Sequence, residues 1–354
     1  MKNTLLNTLC LLISLSFCIL VTEFFFRTTG IATPWTPHAT NEPSMNEADT
    51  SKGWRVKPGK YVIAPFSPEG HETHYSFLKD GSRLTSRGEV EGLDYDLIFL
   101  GCSFVEGFAI SDEDTLAWKL QSNFPYLKIG NFGVGGYSTY QMLLLLEDLY
   151  ERGMKPKIII YGFMPFHEER NIANSGYLAL LSEYSSRGEV GLPYCSLDDN
   201  GNLIEHVPKI YPDIPLREYS AWPNFLAKFY YRFLDKDERK NRHDGFAITS
   251  ELIKKIDKLT SQHGTEFYIA MLGHVPHDEI SHKKYKDFFQ SSGFKTIDGG
   301  VMFESDYVVR GEGHPNEIAN TILAEKIKSS LEAQPSFCAM TNKVISSHKQ
   351  HVQR

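Results

Sequence analysis

Short apolar runs punctuate the middle of the chain: DLIFLG (96–101), LKIGNFG (127–133), KIIIYGF (157–163) and EFYIAML (266–272), with FKTIDGG (294–300) as the fifth candidate. Runs of this length suit strands buried on both faces of a parallel sheet. Helical stretches separate them. DEDTLAWKLQSNF opens with acids that suit a helix N-terminus. TYQMLLLLEDLYERG closes on Arg152-Gly153, a stop signal. AITSELIKKIDKLTSQHG is amphipathic and also ends in Gly, and NEIANTILAEKIKSSLEA is a last helix opened by Asn316. Strand alternating with helix predicts an α/β fold, a doubly wound and mostly parallel five-stranded sheet flanked by helices, over 94–335.

The flanks follow other rules. An apolar run from about Leu5 to Phe26 lies between Lys2 and Arg27. It approaches the ~20 residues a helix needs to cross a bilayer, and no small-residue cleavage pattern follows it. Residues 1–27 are therefore expected to be an uncleaved signal anchor, a single transmembrane helix with the body on the extracytoplasmic side. Residues 28–56 are rich in Pro, Thr, Asn and Ser and read as a stalk or wrap. β-prone pieces broken by Pro and Gly complete a small β-rich preface, so that stalk and preface fill 28–93. The span 172–245 breaks the strand–helix rhythm and is expected to be an insertion over the carboxyl edge of the sheet. Its aromatic helix AWPNFLAKFYYRFL is expected to serve core packing. The tail, 336–354, is polar and expected to be disordered.

Composition narrows the function classes. With 41% hydrophobic and 23% charged residues the chain is globular, and 37 Lys and Arg against 44 Asp and Glu give a net charge of −7. A nucleic-acid binder would need a basic face. Of five cysteines, Cys10 and Cys18 lie in the anchor, and Cys102, Cys195 and Cys338 show neither metal-type spacing nor an even framework. No structural disulfide is expected, with Cys195–Cys338 the pairing left open. Nothing calls for a cofactor or a metal.

The candidate chemistry starts at Ser103, just beyond the first strand, where ligands bind in open parallel sheets. A serine at a strand-to-helix turn sits on a rigid rim, with backbone N–H groups aimed at any oxyanion formed beside it. The acids at 112–114 mark the following helix start, so Ser103 is not its cap. Val105 rather than Gly two residues on disfavours the nucleophile elbow G-x-S-x-G. The second strand ends in NFGVGGYST, whose glycines allow close backbone approach. Near the C-terminus, RGEGHPNE places His314 before a helix with Glu312 two residues earlier. A serine hydroxyl needs a base and the base an orienting acid, and these residues supply all three. The histidines of GHVPHDEISH (His274, His277, His282) are read as surface loop, and Asp306 and Arg310 as rim residues.

The blocks LGCSFVEG, NFGVGGYST and GEGHPN, in this order, resemble the SGNH (GDSL-like) hydrolase superfamily over roughly 94–170 and 265–330, and the Glu23-to-Arg27 step at the end of the apolar run resembles its membrane-tethered bacterial members. The resemblance implies Ser103 as nucleophile, His314 as base, and the N–H groups of Ser103 and Gly136 as oxyanion donors. The family's acid stands three before the histidine, where this chain has Gly311, and Glu312 is the nearest substitute. The family's third-block Asn is replaced: Phe166-His167 stand about where Asn-Asp would be, and His167 or Asn171 would have to donate instead. The implied activity is a serine esterase acting on acyl, in particular O-acetyl, esters of cell-envelope or exported glycans. Acyl transfer by the same site and a non-catalytic glycan-binding or assembly component remain open alternatives.

Overall fold

Five parallel strands form the sheet of the computed structural model, which describes residues 2–36, 44–88, 92–184, 190–274, 276 and 278–352. In chain order the elements are α1 (Lys2–Thr29), the hairpin β1 (Asn46–Asp49) and β2 (Gly53–Val56), the hairpin β3 (Gly59–Ile63) and β4 (Thr73–Phe77), β5 (Leu97–Gly101), α2 (Ser103–Glu106), α3 (Leu116–Asn123), β6 (Ile129–Gly133), α4 (Thr139–Glu151) and β7 (Ile158–Phe163). Then come α5 (His167–Asn171), α6 (Ser175–Tyr184), the hairpin β8 (Gly191–Leu197) and β9 (Leu203–Ile210), α7 (Ala221–Phe229) with a π-helical turn Tyr230–Leu234, α8 (Lys236–Gln262), β10 (Glu266–His274), α9 (Glu279–Ser291), β11 (Thr296–Met302), α10 (Glu317–Glu332) and α11 (Pro335–Val352). The sheet runs β11-β10-β7-β5-β6. The strand order therefore reverses between β7 and β5, the point beyond whose carboxyl ends ligands bind in sheets of this kind.

Four of the apolar runs fold as strands because both faces are covered; the fifth, β11, is an edge strand whose residues alternate buried and exposed. Ile98 and Leu100 of β5 and Ile269 and Met271 of β10 face α4, α8 and α9 in one core. Leu97, Phe99, Tyr268 and Ala270 face α3, α10 and α11 in the other. The last helix before the tail begins as the sequence predicts, with Asn316 Oδ1 accepting from the Ile318 and Ala319 N–H groups at 3.0 Å. Elsewhere the boundaries move. The acids Asp112–Asp114 open a 3₁₀ turn, Thr115 then caps α3, and Asp112 also forms a buried ion pair with Arg83 at 2.8 Å. The helix predicted from Ala247 begins at Lys236, where the Asp235 carboxylate accepts from the Glu238 N–H.

Three expectations about the flanks change. Part of the supposed stalk folds as the β1–β2 hairpin, with Trp54 buried against Tyr137. The tail forms α11, anchored by Phe337, which is buried edge-on against Phe124. The aromatic helix α7 is largely unpacked: Leu226, Phe229, Tyr230 and Phe233 are exposed. It lies instead against the end of α1, where Phe26 stacks on Phe225 at 4.4 Å. Helix α1 is long and apolar enough to cross a membrane, a test a signal sequence also passes.

A row of glycines caps the sheet at this switch point. Gly101 pairs with Gly133 on one side and with Gly162 on the other. The turn after β5 presses onto this row. A Cβ on Gly101 or Gly162 would stand 2.3 Å from Val105 Cγ2, and one on Gly133 would stand 2.2 Å from the Glu106 backbone nitrogen. Overpacking against backbone costs ~1–3 kcal/mol or more. Gly133→Ala is thus expected to destabilise by at least that much, read from the urea midpoint. Gly88→Ala, where nothing lies within 4 Å, should stay within ~0.5 kcal/mol. Equal, small effects at both positions would contradict the close-approach account.

Candidate active site

Ser103 opens α2 directly after β5, with Cys102 as its extended N-cap residue. The turn is a single helical winding, closed by Gly107 N–H donating to the Ser103 carbonyl at 3.0 Å and by Gly107 in the left-handed region. Asn131 of β6 fixes it from the side, its Nδ2 donating to the Val105 carbonyl at 3.0 Å.

The structure brings Ser103, His314 and Glu312 into one hydrogen-bonded line. Glu312 Oε1 and Oε2 lie 2.6 and 2.8 Å from His314 Nδ1. A carboxylate only accepts, so Nδ1 carries the hydrogen and Nε2 is left to accept. Ser103 Oγ stands 2.7 Å from that Nε2 and donates to it. The histidine turn is built for this. Gly311 and Gly313 both have positive φ, 86° and 99°, and Val309 N–H donates to the His314 carbonyl at 2.7 Å. The carboxylate thereby folds back onto the imidazole of its own loop, and it also accepts from the His314 N–H at 2.8 Å.

Position 311 leaves no room for a side chain. A Cβ at Gly311 would lie 2.5 Å from the Phe66 carbonyl oxygen. The loop following β3 thus occupies the room an acid three before His314 would need. Phe66 also packs on Phe108, which flanks the His314 ring at 5.1 Å, while Phe104 flanks it at 5.2 Å. Ser103 itself is 6% exposed.

Gly136 lies in the turn beyond β6 with φ 81°. Its carbonyl accepts from Tyr177 Oη, and the neighbouring Gly135 carbonyl accepts from Trp54 Nε1 at 2.9 Å. The third block is arranged differently from the expectation for His167 and Asn171. Asn171 Nδ2 donates to Thr249 Oγ1 at 2.8 Å and its Oδ1 accepts from the Tyr140 N–H at 3.0 Å, so the amide ties α5 to α4 and α8. His167 is fully buried with Nδ1 2.8 Å from Tyr161 Oη. Burial, and then the nearby Arg170 charge, hold its pKa well below the ordinary imidazole value. The Asn171 amide is thus engaged on both sides, whereas His167 Nε2, also buried, has no protein partner among the described residues. Of the rim candidates, Asp306 accepts through its carbonyl from Asn316 Nδ2, and Arg310 stands on the exposed surface 3.9 Å from Glu69. His274 and His282 lie with ring centroids 5.1 Å apart, and His277 falls outside the described residues.

Sequence reasoning missed three ionisable neighbours of the site. Arg170 is held between the rings of Phe166 and Tyr177, 4.3 and 4.8 Å from their centroids, and donates to the Tyr137 carbonyl at 3.1 Å. Its charge also reaches the buried Cys102 thiol beside Ser103. Arg83, from the segment after β4, is fully buried. It donates to Asp112 and to the carbonyls of Glu106, Gly107 and Ile110, so one guanidinium holds the loop that leaves the Ser103 turn. Glu106 is buried beneath this loop, with one carboxylate oxygen lacking a protein partner. Only the carboxylate three after Ser103 signalled it in sequence.

No protein-family model matches the chain, and no curated protein matches it. Solved structures similar to it are GDSL-type lipolytic proteins and esterases. A member of the lipolytic G-D-S-L family from Veillonella parvula has 13% identity over 69% of this chain and 100% of that one, with a TM-score of 0.38. A psychrotrophic esterase from Pseudoalteromonas sp. has 10% identity over 68% and 97%, with a TM-score of 0.38. An acetyl xylan esterase from the rumen bacterium Butyrivibrio proteoclasticus has 9% identity over 76% and 68%, again with a TM-score of 0.38.

Glu106 gives the site a pH signature. Burial pushes its carboxyl up to about 7, against partial offsets from Arg83 and the Gly135 N–H. The folded state then holds a proton the unfolded chain releases near 4.5. Stability from this group therefore falls as pH rises between those two values and stays lower above them. Glu106→Gln should remove that loss, about 3 kcal/mol in all. Melting curves should show the variant gaining on the wild type as pH rises from 4.5 to about 7. A difference that does not change with pH would contradict a neutral, buried Glu106.

Proposed function

We propose that the chain is a membrane-anchored serine esterase of the SGNH type, and the observation that carries this reading is the line Ser103–His314–Glu312 at the switch point of the sheet. In the proposed reaction Ser103 Oγ attacks the acyl carbonyl carbon while its proton passes to His314 Nε2. Glu312 keeps the imidazole in the tautomer that accepts this proton and stabilises the imidazolium that results. The N–H groups of Ser103 and Gly136 donate to the oxyanion. Collapse breaks the ester C–O bond, and the imidazolium returns its proton to the departing alcohol oxygen. Water, deprotonated by His314, then releases the acid and regenerates Ser103.

The substrate class we infer is an acyl ester, in particular an O-acetyl ester, of a cell-envelope or exported glycan. This rests on the family resemblance and on the anchor reading. The anchor reading is supported by the contacts at the end of α1: the Glu23 carboxylate accepts from the Ala221 N–H at 2.9 Å and Phe26 stacks on Phe225. Cleavage beyond the apolar run would discard both. We further propose that the Arg170 charge, which reaches the Cys102 thiol beside Ser103, stabilises the oxyanion electrostatically in place of the hydrogen bond that the replaced third-block Asn would donate.

Transfer of the acyl group to a sugar hydroxyl is the second reading. The low exposure of Ser103 and the two phenylalanine rings flanking His314 favour it, since they restrict water at the acyl-enzyme.

A fluorophosphonate probe tests the nucleophile on the full chain in detergent. Wild type is expected to be labelled, and Ser103→Ala and His314→Ala to lose labelling. Glu312→Gln should slow it by about 10⁴, the scale of losing the orienting acid. Arg170→Gln should cost about 10²–10³, the scale of one oxyanion donor. An unlabelled but folded wild type would sink the esterase reading in favour of a binding or assembly role.

A further inference from the structure

The segment around α7 leaves a large apolar face uncovered beside the end of α1. The two are stitched together. Glu23 also accepts from Ser220 Oγ at 2.9 Å, Arg27 donates to the Tyr219 carbonyl at 2.8 Å, and Trp222 Nε1 donates to the Ile19 carbonyl at 3.3 Å. From this junction the aromatic rings continue as a ladder. Phe26 stacks on Phe225, Phe225 neighbours Phe229 at 6.5 Å, and Phe229 meets Phe233 at 5.1 Å.

Leu226, Phe229, Tyr230 and Phe233 are spaced i, i+3, i+4 and i+7, one face of a helix. They are 56%, 45%, 50% and 52% exposed, and Tyr219 in the preceding turn is 75% exposed. A shallow apolar groove of about 410 Å³ opens along the same face, lined by Pro212, Ile214, Leu226, Tyr230 and Tyr231. Apolar patches of this extent mark a docking surface. The exposed cations Lys228, whose Nζ donates to the Ile31 carbonyl at 3.4 Å, and Arg232, whose guanidinium lies 5.6 Å from the Phe233 ring centroid, flank it, on long stems of the kind that place a charge at lipid headgroups beside apolar rings. The face is continuous with the exposed apolar surface of α1, at Leu20, Phe24 and Phe25.

We propose that residues 216–234 form a membrane foot. This segment lies in the interface of the bilayer that α1 crosses, with Leu226, Phe229, Tyr230 and Phe233 in contact with lipid. The proposal rests on the anchor reading above. Its consequence is geometric: two attachments, one spanning and one interfacial, restrain the tilt of the body and hold the Ser103 rim at a set height over the membrane. A single helix would leave the body free to swing.

Site-specific fluorescence separates the two readings. In full chain with Cys10→Ser, Cys18→Ser and Cys338→Ser, single labels are placed at Phe233→Cys, Tyr230→Cys, Leu12→Cys in α1 and Lys326→Cys on the far surface of α10. An environment-sensitive nitrobenzoxadiazole is read in phosphatidylcholine vesicles carrying doxyl-labelled lipid. Labels at 230 and 233 are expected to be blue-shifted and quenched several-fold more than that at 326. Quenching at 12 with none at 230 and 233 would overturn the foot while leaving the anchor in place. A blue shift at 230 and 233 without lipid quenching would mean that protein, such as a second copy, covers the face, and would also overturn it. Silence at 12 as well would remove the anchor and the foot together.

Discussion

The architecture depends on how closely a backbone turn approaches the end of the sheet. Val105 and Glu106 rest on strand ends where Gly101, Gly133 and Gly162 lie side by side. Any side chain there would lift the turn. Because the turn is seated, Ser103 emerges at a fixed point above the switch point between β5 and β7, within 2.7 Å of an imidazole 211 residues away in sequence. Its seat is reinforced from three directions: Asn131 from the neighbouring strand, Arg83 from the segment after the β3–β4 hairpin, and the Tyr75 hydroxyl, which accepts from the Ala109 N–H at 2.6 Å. Rigid positioning of this kind removes reorganisation from an acyl-transfer step.

The β-rich preface is thus part of the site rather than a spacer. Its Arg83 N–H bonds to the Asn131 carbonyl of edge strand β6 at 2.7 Å, while its guanidinium clamps the loop after Ser103. Its Phe66 carbonyl fills the space beside Gly311. The same segment that closes the sheet edge also excludes an acid at position 311. The chain meets this by a two-glycine turn that folds Glu312 back on His314. The longer glutamate side chain spans the altered path, and two oxygens near Nδ1 hold the ring in one orientation.

Much of this was legible in the sequence, for a physical reason. Four of the five strands carry runs buried on both faces, a pattern that survives without alignment, while edge strand β11 alternates buried and exposed residues. Ser103, Glu312 and His314 sit at strand and helix ends, where the fold class says ligands gather. What was not legible depended on contacts between distant segments. Asp112 does open a 3₁₀ turn, but its pairing with Arg83, 29 residues away, left no mark in the local sequence. Asn171 looked available because a loop sequence does not reveal that Thr249 and the Tyr140 N–H stand beside it. The aromatic stretch 221–234 looked like core because its hydrophobicity was read against a soluble body, whereas its neighbour is the apolar α1. The tail looked too polar to fold, and Phe337 supplies the deeply buried anchor that fixes it.

The central claim is that Ser103 forms a covalent acyl bond. It is tested most directly by acid-quenching the full chain during turnover of an activated acetyl ester and mapping the adduct by peptide mass spectrometry. The account predicts an acetyl group on the peptide bearing Ser103, accumulating in the pre-steady state and absent in Ser103→Ala. A folded protein that turns the ester over with no adduct there, or with the acetyl group on another residue, would contradict it.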